Sequence, residues 1–188
     1  MASSPTTRSP SMCATLAQDA EASHFHCVTF MLGGELYGVD IGCIREIIEF
    51  EGVTPVPMMP RFVRGIINLR GAVVPVIDLS IRFGRGQTEL QSTSCVAILS
   101  LPTSSGGTQE IGMLLDAVCE VLEIATEAIE PAPTFGTQIR GDFIRGVVTI
   151  DQRFAILLDM PKALSISELS VMAEAATNQL FNAGAGEC

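Results

Sequence analysis

The chain has 188 residues, which is enough to build one sizeable core or two small linked ones. It carries 21 acidic against 11 basic side chains, a net charge of −10, so nucleic acid and anionic membrane, which both require a basic surface, are poor partners. No apolar run reaches the roughly 18 residues of a membrane span, and the N-terminus lacks a signal-peptide pattern. We therefore expect a cytoplasmic protein without direct membrane insertion.

The two ends of the chain differ from its middle. Residues 1–23 are rich in Ser, Thr, Pro and Ala without periodicity, which predicts a disordered tail. Residues 165–182 have a helical pattern that opens with a capping-box pair, Ser165 and Glu168, and residues 183–188 form a short tail. The predicted helix is compatible with packing on the domain and, alternatively, with docking of a partner. The folded part is therefore expected at 24–164.

Between these ends the patterns predict short strands separated by tight turns. The first predicted elements are a strand from His24 to Leu32, a Gly33-Gly34 turn, a return strand at 35–39 and a short helical turn capped by Asp40. A strand at 45–50, a proline-rich connection at 54–60 and a hairpin at 62–79 follow. After a loop at 82–94, the patterns predict a strand at 95–101, its return at 110–115 and an extended segment at 117–124.

The hairpin at 62–79 has two β-branched runs that flank Arg70-Gly71. Pro75 removes one ladder donor, so the second run is expected to be an edge strand or to begin near the proline. Arg70 should sit on the exposed turn or have a dedicated partner, because an unpaired buried charge is expensive. We expect it to be an anchor for another protein, held on a rigid hairpin.

An internal repeat organises the folded part. Residues 62–79 align without a gap on 143–160, which superimposes Phe62, Arg64, Gly65 and Asp78 on aligned residues of the same types. Upstream the likeness continues at an offset of 74, with Glu46 falling on Glu120. Short strand patterns also resemble one another by chance. The shared order of markers favours two similar all-β halves, roughly 25–90 and 91–164, of about five strands each, closed as small barrels.

Catalytic and metal-binding patterns are not evident in the sequence. The six cysteines are scattered without a CxxC pair, which favours reduced and mostly buried thiols over a zinc site. His24 and His26 are expected to face solvent at the start of the first strand and lack a further ligand. Asp78 and Asp159 stand at equivalent places, as a pair of catalytic carboxylates would, but their position after apolar strands favours helix-turn caps. We expect no cofactor, no metal and no enzyme activity.

The stretches YGVDIGCIREIIE, TPVPMMPRFVRGIINLRGAVVPVIDL and RGVVTIDQRFAILLD resemble the CheW family of chemotaxis coupling proteins over about residues 25–180. The resemblance implies an all-β fold of two five-stranded SH3-like barrels with short helical turns and a C-terminal helix. It also implies a non-catalytic adaptor at membrane-associated receptor arrays. Its partners would be the regulatory domain of the histidine kinase CheA and the cytoplasmic tips of methyl-accepting chemotaxis receptors.

The resemblance also implies two binding surfaces. The receptor-binding residues would be Ile44, Glu46, Asn68, Arg70 and Val73. Ile44 and Val73 are also compatible with core positions, Glu46 with a solvated strand position and Arg70 with a turn cap. The kinase-binding residues would be Val53, Pro55, Val56, Pro57, Met58 and Met59. We expect them to form an apolar contact that lies apart from the receptor-binding residues.

Three departures from the family pattern concern which partners are served. Met58-Met59, expected to be two exposed methionines, replaces a small polar pair, and Ala72 and Ser80 stand where charged residues are common. The tail to residue 23 is longer than a minimal member of the family needs. Two other functions remain open. One is the scaffold of a related, non-chemotactic kinase array. The other is a CheV-like coupling protein, although that would require a receiver domain of roughly a hundred further residues.

Overall fold

The computed structural model describes residues 23–103, 106–132 and 139–164, which are mostly β-strand. Outside the described residues lie the predicted C-terminal helix at 165–182, the predicted tail at 183–188 and the predicted tail at 1–23 apart from its last residue, Ser23. The strands are β1 (His24–Leu32), β2 (Glu35–Asp40), β3 (Ile44–Glu49), β4 (Val63–Leu69), β5 (Ala72–Asp78), β6 (Cys95–Pro102), β7 (Thr108–Leu115), β8 (Ala117–Ala125), β9 (Ile144–Ile150) and β10 (Arg153–Leu158).

Short helical turns join several of the strands. They are the helices α1 (Leu79–Arg82) and α2 (Met160–Ala163) and the 3-10 turns Ile41–Cys43, Thr126–Ala128 and Gly141–Phe143. The side chain of Asp40 accepts a hydrogen bond from the backbone of Gly42. Asp78 and Asp159 cap α1 and α2 in the same way, by accepting backbone N–H groups of the first turn. The predicted capping role of these three aspartates is confirmed.

The strands form two five-stranded mixed sheets with the same layout. Sheet 1 has the order β8-β1-β2-β10-β9, and sheet 2 has the order β3-β6-β7-β5-β4. Each sheet has one parallel pair, β2 with β10 in sheet 1 and β5 with β7 in sheet 2, while the other neighbours are antiparallel. This equivalence agrees with the repeat that the sequence predicts.

The sheets do not divide the chain at the expected boundary near residue 90. Strands β1 and β2 of the first half join β8, β9 and β10 of the second half, whereas β6 and β7 of the second half join β3, β4 and β5. Each barrel therefore contains strands from both halves. This differs from the expectation that each half closes its own barrel. The two repeats have exchanged their first two strands, so neither can complete its sheet alone.

Both sheets are closed by the chain segment that follows an edge strand. After β3, Thr54 exchanges two backbone hydrogen bonds of 2.9 Å with Ile66 on the opposite edge strand, β4. After β8, Glu130 exchanges two hydrogen bonds of 2.8 Å with Val147 on β9. Closure of this kind removes exposed edges and gives each sheet a barrel-like form.

Among the residues that the structure describes, three hydrophobic clusters form the interior. The largest, which we call the shared core, contains residues of both sheets, such as Phe30 and Tyr37 from sheet 1 and Leu99 and Met113 from sheet 2. Each sheet also has a smaller cluster inside its own curve, around Leu157 in sheet 1 and around Val76, Ile98 and Leu114 in sheet 2. Strands β1, β2, β6 and β7 contribute to the shared core with one face and line their own barrel with the other.

Arg82 joins the two repeats at the end of α1. Its guanidinium lies 4.8 Å from the ring centroid of Phe62 and 5.3 Å from that of Phe143, which are equivalent positions of the repeat. Its Nε donates a hydrogen bond of 3.2 Å to the carbonyl of Ala163 in α2. Cation–π contacts of this kind contribute about 1 kcal/mol each. The repeats are thus connected by a specific contact as well as by shared apolar surface.

The hairpin at 62–79 forms strands β4 and β5, with one difference from the prediction. Strand β5 begins at Ala72 and lies between β4 and β7, so it is not an edge strand. It tolerates Pro75 because β7 pairs with β5 from Val76 onward, beyond the proline. The predicted edge position is therefore wrong. Only the pairing of β5 with β7, rather than the strand itself, begins next to the proline.

The cysteines of the described residues are free thiols with different exposures. Cys27 is buried, Cys43 and Cys95 are half-buried, and Cys119 is exposed. Burial, aided by the negative charge of Asp40, raises the pKa of Cys27 to about 11. Within the part of the chain that the structure describes, no three His, Cys, Asp or Glu side chains are placed to hold a metal ion, and no helix is both long and apolar enough to cross a membrane.

We predict that Gly65→Ala destabilises the protein by about 3 kcal/mol or more. Gly65 has φ of +152°, and a Cβ there would lie 2.4 Å from the backbone oxygen of Thr54, which closes sheet 2. The matched control is Gly34→Ala, at a glycine with φ of +83° and open space around it, which should cost about 1 kcal/mol. Chemical unfolding of both variants measures the difference. Equal costs would show that the close approach of Thr54 is unimportant.

Candidate functional site

The turn between β4 and β5 holds Arg70 in a defined conformation. Leu69 pairs with Ala72, so the loop consists of Arg70 and Gly71, with φ values of +51° and +89°. Positive φ at both positions is the requirement of a type I′ turn, which matches the twist of a two-residue hairpin. The backbone N–H of Gly71 donates a hydrogen bond of 2.8 Å to Oδ1 of Asn68. This bond helps to offset the strain of a non-glycine residue in the left-handed region.

Arg70 forms a bidentate ion pair with Glu46. Its Nη1 donates to Oε1 and its Nη2 to Oε2 of Glu46, both at 2.8 Å. The Arg70 side chain is 71% exposed and that of Glu46 20%. Because β3 and β4 are opposite edges of sheet 2, the pair crosses the seam at which the sheet closes. The sequence predicted that Arg70 would either lie on an exposed turn or have a dedicated partner, and the structure shows both.

The ion pair holds the guanidinium but does not use all of it. Two of the five N–H donors of Arg70 bind Glu46, and the remaining donors are available on an exposed side chain. Two parallel hydrogen bonds between a guanidinium and a carboxylate fix the plane of the guanidinium as well as its position. A partner would therefore meet a positively charged group whose orientation is already set.

An exposed apolar side chain accompanies the ion pair. Val73 is 68% exposed and lies directly across the hairpin from Asn68. It is therefore a surface residue, and the alternative that it belongs to the core is wrong. Ile44 is half-buried and packs against the shared core, so its core alternative is partly correct. Glu46, Asn68, Arg70 and Val73 form one surface, which we call the hairpin surface.

The equivalent place in sheet 1 has different chemistry. The positions that correspond to Glu46 and Arg70 are Glu120 and Asp151, both acidic, so the charge pair has no counterpart in the other repeat. The turn keeps the same backbone form, with φ of +46° at Asp151 and +65° at Gln152. Phe154 replaces Val73 and is 71% exposed. The repeat therefore duplicates the hairpin but not the ion pair.

The segment Val53–Met59 runs beside β4 after the bridge at Thr54. Met58 is 60% exposed and has φ of +66°, whereas Met59 is half-buried and packs against the shared core. The expectation of two exposed methionines is therefore wrong for Met59. Val53 also turns inward and packs against the core of sheet 2. Of the predicted kinase-binding residues, the exposed ones are Pro55, Pro57 and Met58.

The hairpin surface and the segment Val53–Met59 adjoin each other. A groove of about 450 Å³ is lined by residues 48–54, by 66–68 and by Val96. It contains Val53 from one predicted binding surface and Asn68 from the other. The expectation that the two surfaces lie apart is therefore not met, because the bridge between Thr54 and Ile66 draws the segment onto the hairpin.

Asp78 and the two histidines have structural contacts. The Asp78 carboxylate is fully buried and accepts hydrogen bonds from the backbone of Ser80 at 3.0 Å and from the hydroxyl of Thr88 at 2.8 Å. The contact with Thr88 fastens the loop after α1, and local sequence patterns gave no sign of it. His24 and His26 are exposed, as expected, and lie 3.4 and 3.9 Å from Glu123 across the strand pair β1–β8.

Comparison with known proteins gives a consistent result. The family model of the CheW-like domain matches residues 26–168. The chain is 34% identical to the chemotaxis protein CheW of Klebsiella aerogenes, covering 76% of this chain and 83% of that protein. It is 35% identical to the chemotaxis protein CheW of Treponema pallidum, covering 79% and 87%.

A solved structure supports the same assignment. The scaffolding protein TtCheW of Thermoanaerobacter tengcongensis matches with a TM-score of 0.66 and 34% identity, over 76% of this chain and 88% of that one. A more distant relative is protein FrzA of Myxococcus xanthus, 26% identical over 85% of this chain and 96% of that protein. Together with the two closed five-stranded sheets, these matches confirm the predicted fold class of two SH3-like barrels.

We predict a measurable coupling energy between Arg70 and Glu46. A double-mutant cycle with Arg70→Ala and Glu46→Gln should give about 1 kcal/mol, decreasing as salt rises from about 0.1 to about 1 M. The control cycle, Arg140→Ala with Asp142→Asn, removes a bidentate pair whose side chains are 66% and 52% exposed, and should give much less. Chemical unfolding measures both cycles. Equal coupling in the two pairs would contradict a special role of the Arg70 pair in closing sheet 2.

Proposed function

The chain belongs to the CheW family, and from this membership we propose that it is a non-catalytic adaptor that couples chemoreceptors to a histidine kinase of the CheA class. The observation that carries the proposal is the hairpin surface, where a bidentate ion pair orients Arg70 beside the exposed Val73. In this proposal the protein works in the cytoplasm at membrane-associated receptor arrays.

We assign receptor binding to the hairpin surface. Its two strands and its turn are fixed by backbone hydrogen bonds and by the ion pair, so few rotamers need to be ordered when a partner binds. Val73 offers an apolar contact, and the free N–H groups of Arg70 suit carboxylates and helix-end carbonyls, which receptor tips built from helical hairpins would present. Ile44 supports this surface from the shared core rather than by direct contact.

Kinase binding is assigned to the exposed part of the segment Val53–Met59. Pro55 and Pro57 restrict the backbone there, and the flexible, polarisable side chain of Met58 projects into solvent. Val53, Val56 and Met59 are partly buried, and Val53 and Met59 hold the segment in place by packing against the core of sheet 2 and the shared core. Because the two surfaces adjoin, a kinase and a receptor bound together would lie close to each other.

Residues 24–164 act as one unit in this proposal. The shared core joins both sheets, and the exchanged strands prevent either repeat from forming its sheet alone. The alternative of a scaffold in a related kinase array has weaker support. The relative FrzA, whose name is not that of a chemotaxis protein, is 26% identical, against 34% and 35% for the two chemotaxis proteins.

We predict that Val73→Asp weakens binding to a receptor signalling fragment by about tenfold or more, because it places a carboxylate in an apolar contact. Val73 is exposed, so the free energy of unfolding should change by less than ~1 kcal/mol. The matched control is Phe154→Asp, which makes a similar change at the equivalent, equally exposed position of the other hairpin. Calorimetric titration should show near-normal receptor affinity for the control. Similar losses in both variants would place the receptor contact elsewhere.

We predict opposite consequences for the two neighbouring methionines. Met58→Asp should weaken binding to the kinase regulatory domain by about tenfold, with stability nearly unchanged. Met59→Asp should lower the free energy of unfolding by about 2 kcal/mol or more, because its side chain packs against the shared core. Affinity and chemical unfolding are measured for each variant. Normal kinase affinity in a folded Met58→Asp protein would remove this segment from the kinase contact.

A further inference from the structure

A second groove, of about 700 Å³, adjoins the proposed kinase-binding segment. It lies between that segment, the start of β4 and the loop after α1. We call it the arginine groove, and its lining residues are Val53, Pro55, Arg61, Val63, Arg64, Ile81, Gly84, Gly86 and Gln87. Two of its residues, Val53 and Pro55, also belong to the segment Val53–Met59. The groove is therefore continuous with the surface assigned to the kinase.

The charge of the arginine groove is opposite to that of the protein. The chain has a net charge of −10, yet the described residues that line this groove include two arginines and no acidic residue. Arg61 is exposed and makes no hydrogen bond or ion pair with any residue that the structure describes. Its guanidinium is thus an uncompensated positive charge at the edge of a concave surface.

Arg64 is held in place from behind. Its side chain is 14% exposed, and its Nη1 lies 3.6 Å from Oδ2 of the buried Asp78. When the side-chain amide of Gln87 has the orientation that satisfies its hydrogen bonds, its oxygen accepts from Nη1 and, at 2.9 Å, from Nη2 of Arg64. Asp78 therefore compensates the charge of Arg64, and Arg64 forms a rigid polar wall. The free charge of the groove is that of Arg61.

Apolar side chains complete the lining. Val53, Pro55, Val63 and Ile81 border the same space, and Gly84 and Gly86 leave it open on the loop side. A concave surface with an apolar lining and one free guanidinium fits an extended peptide that places an apolar side chain beside a carboxylate. Nucleic acid and anionic membrane fit poorly, because both require an extended basic surface and the rest of this chain is acidic.

We propose that the arginine groove binds an acidic segment of the kinase regulatory domain, with a carboxylate on Arg61 and an adjacent apolar side chain against Val53, Pro55 and Ile81. This inference rests on the proposed function, because it names the chemistry by which the kinase is recognised. The carboxylate contact adds a charged, salt-sensitive part to an interface that the segment Val53–Met59 alone would make apolar.

The test is calorimetric titration of the purified kinase regulatory domain into wild type, Arg61→Glu and Arg153→Glu, at low and high salt. Arg153 is also exposed, lies in the other barrel and provides the same change of charge as a matched control. Arg61→Glu should weaken binding by about tenfold at low salt, and the difference from wild type should shrink at high salt. Arg153→Glu should stay within about twofold of wild type. Thermal unfolding should be unchanged in both, since both side chains are exposed and neither makes a side-chain hydrogen bond or ion pair with a described residue.

Three outcomes distinguish a failure of this inference from a failure of the proposed function. If wild type binds the regulatory domain and Arg61→Glu binds it with equal affinity at low salt, the arginine groove is not part of the kinase contact. Equal losses in Arg61→Glu and Arg153→Glu would also overturn the inference, because they would show a general effect of net charge. If wild type itself does not bind the regulatory domain, the proposed function fails first.

Discussion

Four strands with both faces buried are the constraint on which the rest of the molecule depends. Strands β1, β2, β6 and β7 line their own barrels with one face and build the shared core with the other. Side chains such as Phe30, Tyr37, Leu99 and Met113 are fully buried there, and each contributes on the order of 2 kcal/mol. Since these strands come in exchanged pairs from both halves of the chain, the two barrels should fold together. The hairpins that project from this core can then carry exposed residues at little cost to stability.

The repeat gives the protein two similar barrels with different surfaces. Both hairpins have a two-residue turn with positive φ, but one presents Arg70 paired to Glu46, and the other presents Asp151. Likewise, Met59 and Val53 secure a segment beside the first hairpin that also borders the arginine groove. Duplication therefore explains the scaffold, whereas substitutions at the turn and in the adjoining segment explain why binding is assigned to one side.

The sequence was sufficient for features that depend on local chemistry. The turn at Arg70-Gly71, the caps at Asp40, Asp78 and Asp159, and the repeat were all predictable, because turns and caps are set by a few neighbouring residues. Strand exchange was not predictable in the same way, since alternation identifies strands but not their partners. For the same reason the pairing of Arg70 with Glu46 and the inward turn of Met59 could not be foreseen. Both depend on how sheet 2 closes.

The measurement that tests the account most directly is a charge exchange across the seam of sheet 2. Arg70→Glu and Glu46→Arg should each reduce stability and receptor affinity, because each leaves two like charges in contact. The double variant should recover stability, since the ion pair is restored in reverse. Its affinity for a receptor signalling fragment should remain as low as that of Arg70→Glu, because the exposed group is now a carboxylate. Recovery of wild-type receptor affinity by the double variant would contradict a direct contact between Arg70 and the receptor. The ion pair would then only stabilise the hairpin.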